Sequence, residues 1–173
     1  MTTPVISVMD REEEKKVRQD LAYAGGALLL RGQIREGFAL MLASQALYAT
    51  QLSQVMGALE VGEIEEAAWL AAGYAHHPSL EKRQVFRAPE GGWGFLHGIL
   101  TREGLSHHDP EVAPLYALAH TAHLGEATAL YTVYERKGLK AALQLAGSIM
   151  DNRNVGYRYG LHAVSGPVGK GKA

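Results

Sequence analysis

The sequence predicts an all-α protein: a single-domain helical bundle of about five or six helices with a flexible basic carboxy-terminal tail. Three observations support this prediction. Apolar residues recur at alternating steps of three and four over much of residues 1–150, which places them on one face of a helix. Outside the tail, no useful stretch alternates apolar and polar residues as a half-buried strand does. Hydrophobic residues make up 47% of the 173 residues, enough to bury the core of one domain.

The first predicted helix begins at Asp10. Glu13 follows three residues later, so each side chain can accept a hydrogen bond from the other residue's backbone amide, as in a capping box. Val17, Leu21 and Leu28 then lie on one apolar face, and a glycine at position 32 is well placed to end the helix.

The longest apolar pattern predicts a second helix that runs from Ile34 to Leu59 without interruption. Its spacing is that of a coiled-coil-like seam, which would pack either within the bundle or between subunits. Gln45 is the polar position on this seam, and we expect it to fix the packing register rather than perform chemistry. The seam consists of Ile34, Phe38, Met41, Gln45, Tyr48, Leu52, Val55 and Leu59.

Four further helices follow from start and stop signals in the chain. Glycine at position 62 and the carboxylates after it begin one helix, which His76-His77-Pro78 ends. A polar loop over 81–92 leads into a short helix over 93–102. Asp109-Pro110-Glu111 begins a long helix that reaches Lys137, and a last helix covers residues 139–150.

Residues 151–173 are predicted to form a Gly-rich, extended or partly disordered tail, separate from the bundle domain of residues 1–150. The tail holds four Lys and Arg residues against one Asp, a charge of +3, whereas the remainder carries −4 of the net −1. Such a tail can contact an anionic partner. Arg153, Tyr157, Arg158 and Tyr159 are the predicted partner-binding residues, because Tyr and Arg are common both at protein interfaces and against nucleic acid.

Composition excludes several chemistries and predicts a cytoplasmic protein. The chain has no cysteine, so disulfides, thiolate metal sites and cysteine nucleophiles are ruled out. We see no secretory signal at the amino terminus, and the longest apolar stretch is about half the length of a membrane span, so we expect no membrane partner. The sequence also lacks a phosphate-binding glycine loop or a nucleophile elbow.

Histidine suggests an alternative function. His120, His123 and Glu126 follow one another at steps of three on the predicted long helix, and helical bundles bind divalent metals through such side chains. Polar contacts within the fold explain the same three residues without a metal. The pattern therefore leaves a metal-binding bundle or metal-dependent enzyme as the alternative, with a divalent metal as its cofactor.

The sequence as a whole favours a non-enzymatic helical interaction or assembly protein without a cofactor. It would be a small subunit of a larger protein or nucleoprotein complex, or a homo-oligomer. A protein partner is expected, and a nucleic acid could be reached through the basic tail. A pocket for an apolar ligand is a third alternative that no particular residue favours.

Overall fold

A computed structural model describes residues 10–75 and 93–162, and its secondary-structure elements are all helices. The all-α prediction is therefore confirmed, but the described residues form eight helices rather than five or six. The helices are α1 (Arg11–Leu30), α2 (Ile34–Ala46), α3 (Ala49–Glu60), α4 (Ile64–Ala75), α5 (Trp93–Arg102), α6 (Ala113–Thr121), α7 (Leu124–Lys137) and α8 (Leu139–His162). The extra helices arise because two predicted long helices are each divided in two.

Helix α1 begins as its sequence predicts. The Glu13 backbone amide donates to Asp10 Oδ1 at 2.8 Å, and the Asp10 amide donates to Glu13 Oε1 at 3.1 Å. This reciprocal pair satisfies two amides that the first helical turn would otherwise leave without acceptors. The predicted stop is also confirmed, since Gly32 follows the helix with a φ of 86° that other residues adopt at a cost.

The predicted helix over 34–59 is wrong in one respect: it bends at Leu47 and Tyr48, which both adopt extended backbone. α3 then starts with the Tyr48 amide donating to Gln51 Oε1 at 3.0 Å. The bend interrupts the seam: its residue there, Tyr48, is 46% exposed, and the neighbouring Leu47 is buried instead. On either side of the bend the seam is buried within this chain at Phe38 and Met41 and at Leu52 and Val55.

The predicted helix from Asp109 to Lys137 is divided in the same way. Its first turn is a non-helical cap in which the Glu111 amide donates to Asp109 Oδ1 at 3.0 Å, and α6 starts only at Ala113. Ala122 and His123 then take extended backbone before α7 begins. The stop at Gly138, with a φ of 96°, is as predicted.

The last helix is longer than expected. α8 continues to His162, so residues 151–162 are helical where the sequence predicted the start of an extended tail. Residues 163–173 of that tail lie outside the described part of the chain. The predicted loop over 81–92 and the His76-His77-Pro78 helix stop lie outside it as well.

Helices α1 and α2 form an antiparallel pair at the centre of the fold. They approach closely at Gly25 and Gly37, where a Cβ on Gly25 would lie 2.7 Å from the Gly37 carbonyl oxygen. Both helices contribute to two apolar clusters, one shared with α3 and α4 and the other with α5 to α8. The central pair therefore holds the two outer groups of helices together. None of the helices in the described ranges has both the length and the hydropathy needed to cross a bilayer.

Candidate functional site

The junction between α6 and α7 separates the residues of the predicted metal site. His120 lies exposed in the last turn of α6, His123 precedes α7, and Glu126 lies in the first turn of α7. The spacing in the sequence predicted that all three lie on one helix, but the structure divides them between α6, the junction and α7. Within the described residues, no group of three or more His, Asp or Glu side chains is arranged to hold a metal ion.

Glu126 is instead the centre of a buried polar network. Its side chain forms an ion pair with Arg153, in which Nη2 lies 2.6 Å from Oε1 and Nε lies 3.2 Å from Oε2. Oε1 also accepts from the His123 backbone amide at 3.0 Å, the return half of a capping box at the start of α7. Glu126 is only 2% exposed. Because both carboxylate oxygens are engaged, this residue joins helices together rather than facing a ligand.

Arg153 belongs to the same network. In addition to the ion pair, its Nη2 donates to the Thr121 backbone carbonyl at 2.9 Å, a carbonyl in the last turn of α6. The guanidinium thus connects α8 to the end of α6 and the start of α7. Arg153 was a predicted partner-binding residue, but its hydrogen bonds point into the fold. Tyr157, Arg158 and Tyr159 follow in the same helix, and only their backbone is described.

A second arginine holds the bend between α2 and α3. Arg18 of α1 donates from Nη1 to the Ser44 carbonyl and from Nη2 to the Leu47 carbonyl, both at 2.9 Å. Glu14, one turn earlier, accepts from Arg18 Nη2 at 2.6 Å. Each of the two bends therefore has an arginine from a neighbouring helix that satisfies carbonyls left open where the helix ends.

Aromatic rings contact one another along α6 and the loop before it. The rings of His107 and His108 lie 4.1 Å apart, His107 stacks on Tyr116 at 4.7 Å, and Tyr116 meets His120 edge-on at 5.1 Å. These contacts join the loop after α5 to α6. They account for His107, His108 and His120 as packing residues on the surface.

An open cleft lies between α1, α2, α5 and α7. It has a volume of about 900 Å³, which is within the range of ligand-binding clefts. Six residues from successive turns of α1 line one side: Arg11, Glu12, Glu14, Lys15, Arg18 and Gln19. The remaining lining residues are Gln45 of α2, Gly98 and Arg102 of α5, and Leu124, Thr128, Tyr131 and Thr132 of α7.

The floor of the cleft is held by polar contacts between α2 and α7. The Gln45 side-chain amide lies 3.4 Å from Thr128 Oγ1, and that hydroxyl donates to the Leu124 carbonyl at 2.9 Å. Gly125 lets the two helices come this close, because a Cβ there would overlap the Met41 carbonyl oxygen. Gln45 thus contacts a neighbouring helix from its place on the seam.

The charged residues of this cleft were not predicted from the sequence. Arg11 and Lys15 read as ordinary exposed charges near a helix start, and Arg102 lies about ninety positions later in another helix. No local pattern connects them. Only the packing of α1 and α5 against α7 places these side chains around one concave surface.

The chain matches no known family model, and no curated protein or solved structure is significantly similar to it.

Proposed function

We propose that this chain is a non-enzymatic, cytoplasmic helical interaction protein, and that the cleft between α1, α5 and α7 receives its partner. The observation that carries the proposal is the cleft itself. It is a concavity with a volume of about 900 Å³, and its floor is fixed by contacts between helices. Charged side chains on its walls supply the polar groups that give a binding surface its specificity.

The interior of the fold supports this choice of surface. The coiled-coil-like seam could have packed between subunits, but four of its residues, Phe38, Met41, Leu52 and Val55, are buried within the chain. Arg153 is likewise engaged with Glu126 and Thr121. Two features that suggested assembly from sequence therefore stabilise the monomer fold, and the proposed contact surface moves to the cleft.

The proposal is tested by photo-crosslinking in the cells that produce the protein. A photoreactive amino acid is placed at position 15, in the cleft wall, and separately at position 140, where Lys140 is exposed and outside the cleft. Crosslinked species are identified by mass spectrometry. We expect position 15 to crosslink to a defined protein, or to a second copy of this chain, that position 140 does not capture.

Equal, weak capture from both positions would contradict the proposal, because a binding cleft must yield more crosslinking than an ordinary exposed surface. A variant with Lys15→Glu, carrying the crosslinker at position 19, adds a second control. If charge in the cleft contributes to binding, this variant should lose the crosslinked species that the crosslinker at position 19 captures when Lys15 is present.

A further inference from the structure

The cleft has an excess of positive charge, although the chain as a whole has a net charge of −1. Four cationic side chains line it against two carboxylates. One of these carboxylates, Glu14, is paired with Arg18 at 2.6 Å, and that arginine is also fixed by backbone carbonyls. The charges left to meet a ligand are therefore those of Arg11, Lys15 and Arg102 against that of Glu12.

Arg11, Lys15 and Arg102 form no ion pair with any residue that the structure describes. The guanidinium of Arg102 lies 5.6 Å from the centre of the Tyr134 ring, a cation–π contact that limits where this charge can move. The cleft thus presents positive charge from two helices, α1 and α5.

The shape of the cleft indicates an elongated ligand. Its α1 wall runs from Arg11 to Gln19, a distance of about 12 Å at the helical rise of 1.5 Å per residue. An extended peptide covers that distance with about four residues, since each adds roughly 3.3 Å. Cations spread along such a wall suit several carboxylates in a row better than one compact anion.

We propose that the cleft binds an acidic segment of a partner protein, with Arg11 and Lys15 contacting carboxylates along one side and Arg102 along the other. This inference rests on the proposed function and names its partner chemistry. Polar floor residues, Gln45 and Thr128 among them, lie where they can bond the backbone of the bound segment.

The test measures binding of a fluorescein-labelled hexaglutamate peptide to the full chain by fluorescence anisotropy at low salt, where screening is weak. A Gly-Ser peptide of the same length is the neutral control. Lys15→Glu is compared with Lys140→Glu, because both changes alter the net charge of the chain equally while only position 15 lines the cleft. We expect Lys15→Glu to weaken hexaglutamate binding about tenfold and Lys140→Glu less than about twofold.

Three results would overturn the inference. The two variants could weaken binding equally, which would mean attraction to the chain as a whole. Inorganic pyrophosphate could bind more tightly than hexaglutamate and displace it, which would assign the cleft to a compact anion. Hexaglutamate could fail to bind. If a partner is crosslinked from position 15, that failure overturns only the acidic-segment inference. If no partner is crosslinked, the proposed function fails too.

Discussion

Replacing Arg153 with alanine should destabilise the fold by about 3 kcal/mol. Removing one partner of a buried ion pair typically costs 3–5 kcal/mol, because the other charge stays buried without compensation. Glu126 is 2% exposed, which places the pair among buried ones, but the Arg153 side chain is 20% exposed, so water can reach the site and the lower end of the range applies. The lost hydrogen bond to the Thr121 carbonyl adds to the penalty.

Urea unfolding followed by circular dichroism measures this change. With a slope of about 2 kcal/mol per molar, a loss of 3 kcal/mol lowers the midpoint by about 1.5 M. A thermal scan should show a melting temperature lower by about 6–12 °C. Arg35→Ala is the matched control, since this arginine is 45% exposed and its nearest carboxylate lies 3.7 Å away, and it should cost less than about 1 kcal/mol.

A double-mutant cycle separates the ion pair from other effects of the substitution. Glu126→Gln keeps an oxygen for the His123 amide and removes the charge, so the double variant no longer buries an uncompensated carboxylate. The two losses should therefore fall short of adding by at least about 1 kcal/mol. A loss below about 1 kcal/mol for Arg153→Ala, or strictly additive losses, would refute the structural role given to this network.

Three other predictions concern packing and pH. Gly125→Ala should destabilise the fold by about 3 kcal/mol or more, because its Cβ would overlap a carbonyl oxygen of α2. Gly57→Ala, in open space on α3, should stabilise the helix by about 0.5–1 kcal/mol. Urea midpoints that shift equally in the two variants would contradict this. Burial opposes ionisation of Asp20, but hydrogen bonds from Arg136 and Lys16 outweigh it and lower its pKa. At pH values above the unfolded-state pKa of about 3.9, the Asp20 carboxylate thus stabilises the fold. This contribution is lost as the pH falls through the lower pKa of the folded state. Asp20→Asn should accordingly reduce stability by about 1 kcal/mol at pH 7 and progressively less below about pH 4, so a pH-independent deficit would refute the assignment.

Features set by neighbouring residues could be predicted from the sequence. The capping box of Asp10 and Glu13 forms as expected because its donors and acceptors lie within one turn. The stops at Gly32 and Gly138 follow from the backbone conformations that glycine adopts easily. The all-α class follows from apolar spacing, which depends only on local geometry.

The two bends could not be predicted, because distant residues determine them. The apolar pattern passes through Leu47 and Tyr48 without glycine or proline, and the carbonyls exposed there are satisfied by Arg18, up to 29 positions away. At the second bend, the carboxylate of Glu126 depends on Arg153, 27 positions later. Spacing alone therefore placed His120 and Glu126 on one helix, although the chain turns between them.

The candidate binding surface lay beyond sequence reasoning for the same reason. Its charges belong to helices that are far apart in the chain, and no motif marks Arg11, Lys15 or Arg102. The sequence directed attention to the basic residues after position 150, where the charge is concentrated locally. In the fold, Arg153 joins helices, and the cleft gathers its cations from separate elements.

Hydrogen–deuterium exchange of the purified chain, with and without the protein captured from position 15, tests the central claim most directly. The competing surface is that of α3 and α4, where Tyr48 and Val61 at the two ends of α3 and Trp69 in α4 are 46%, 72% and 41% exposed. If the partner occupies the cleft, exchange should slow over residues 11–19 and 124–132 and remain unchanged in α3 and α4. Slower exchange in α3 and α4, with exchange in α1 and α7 unchanged, would contradict the assignment of the cleft as the partner-binding surface.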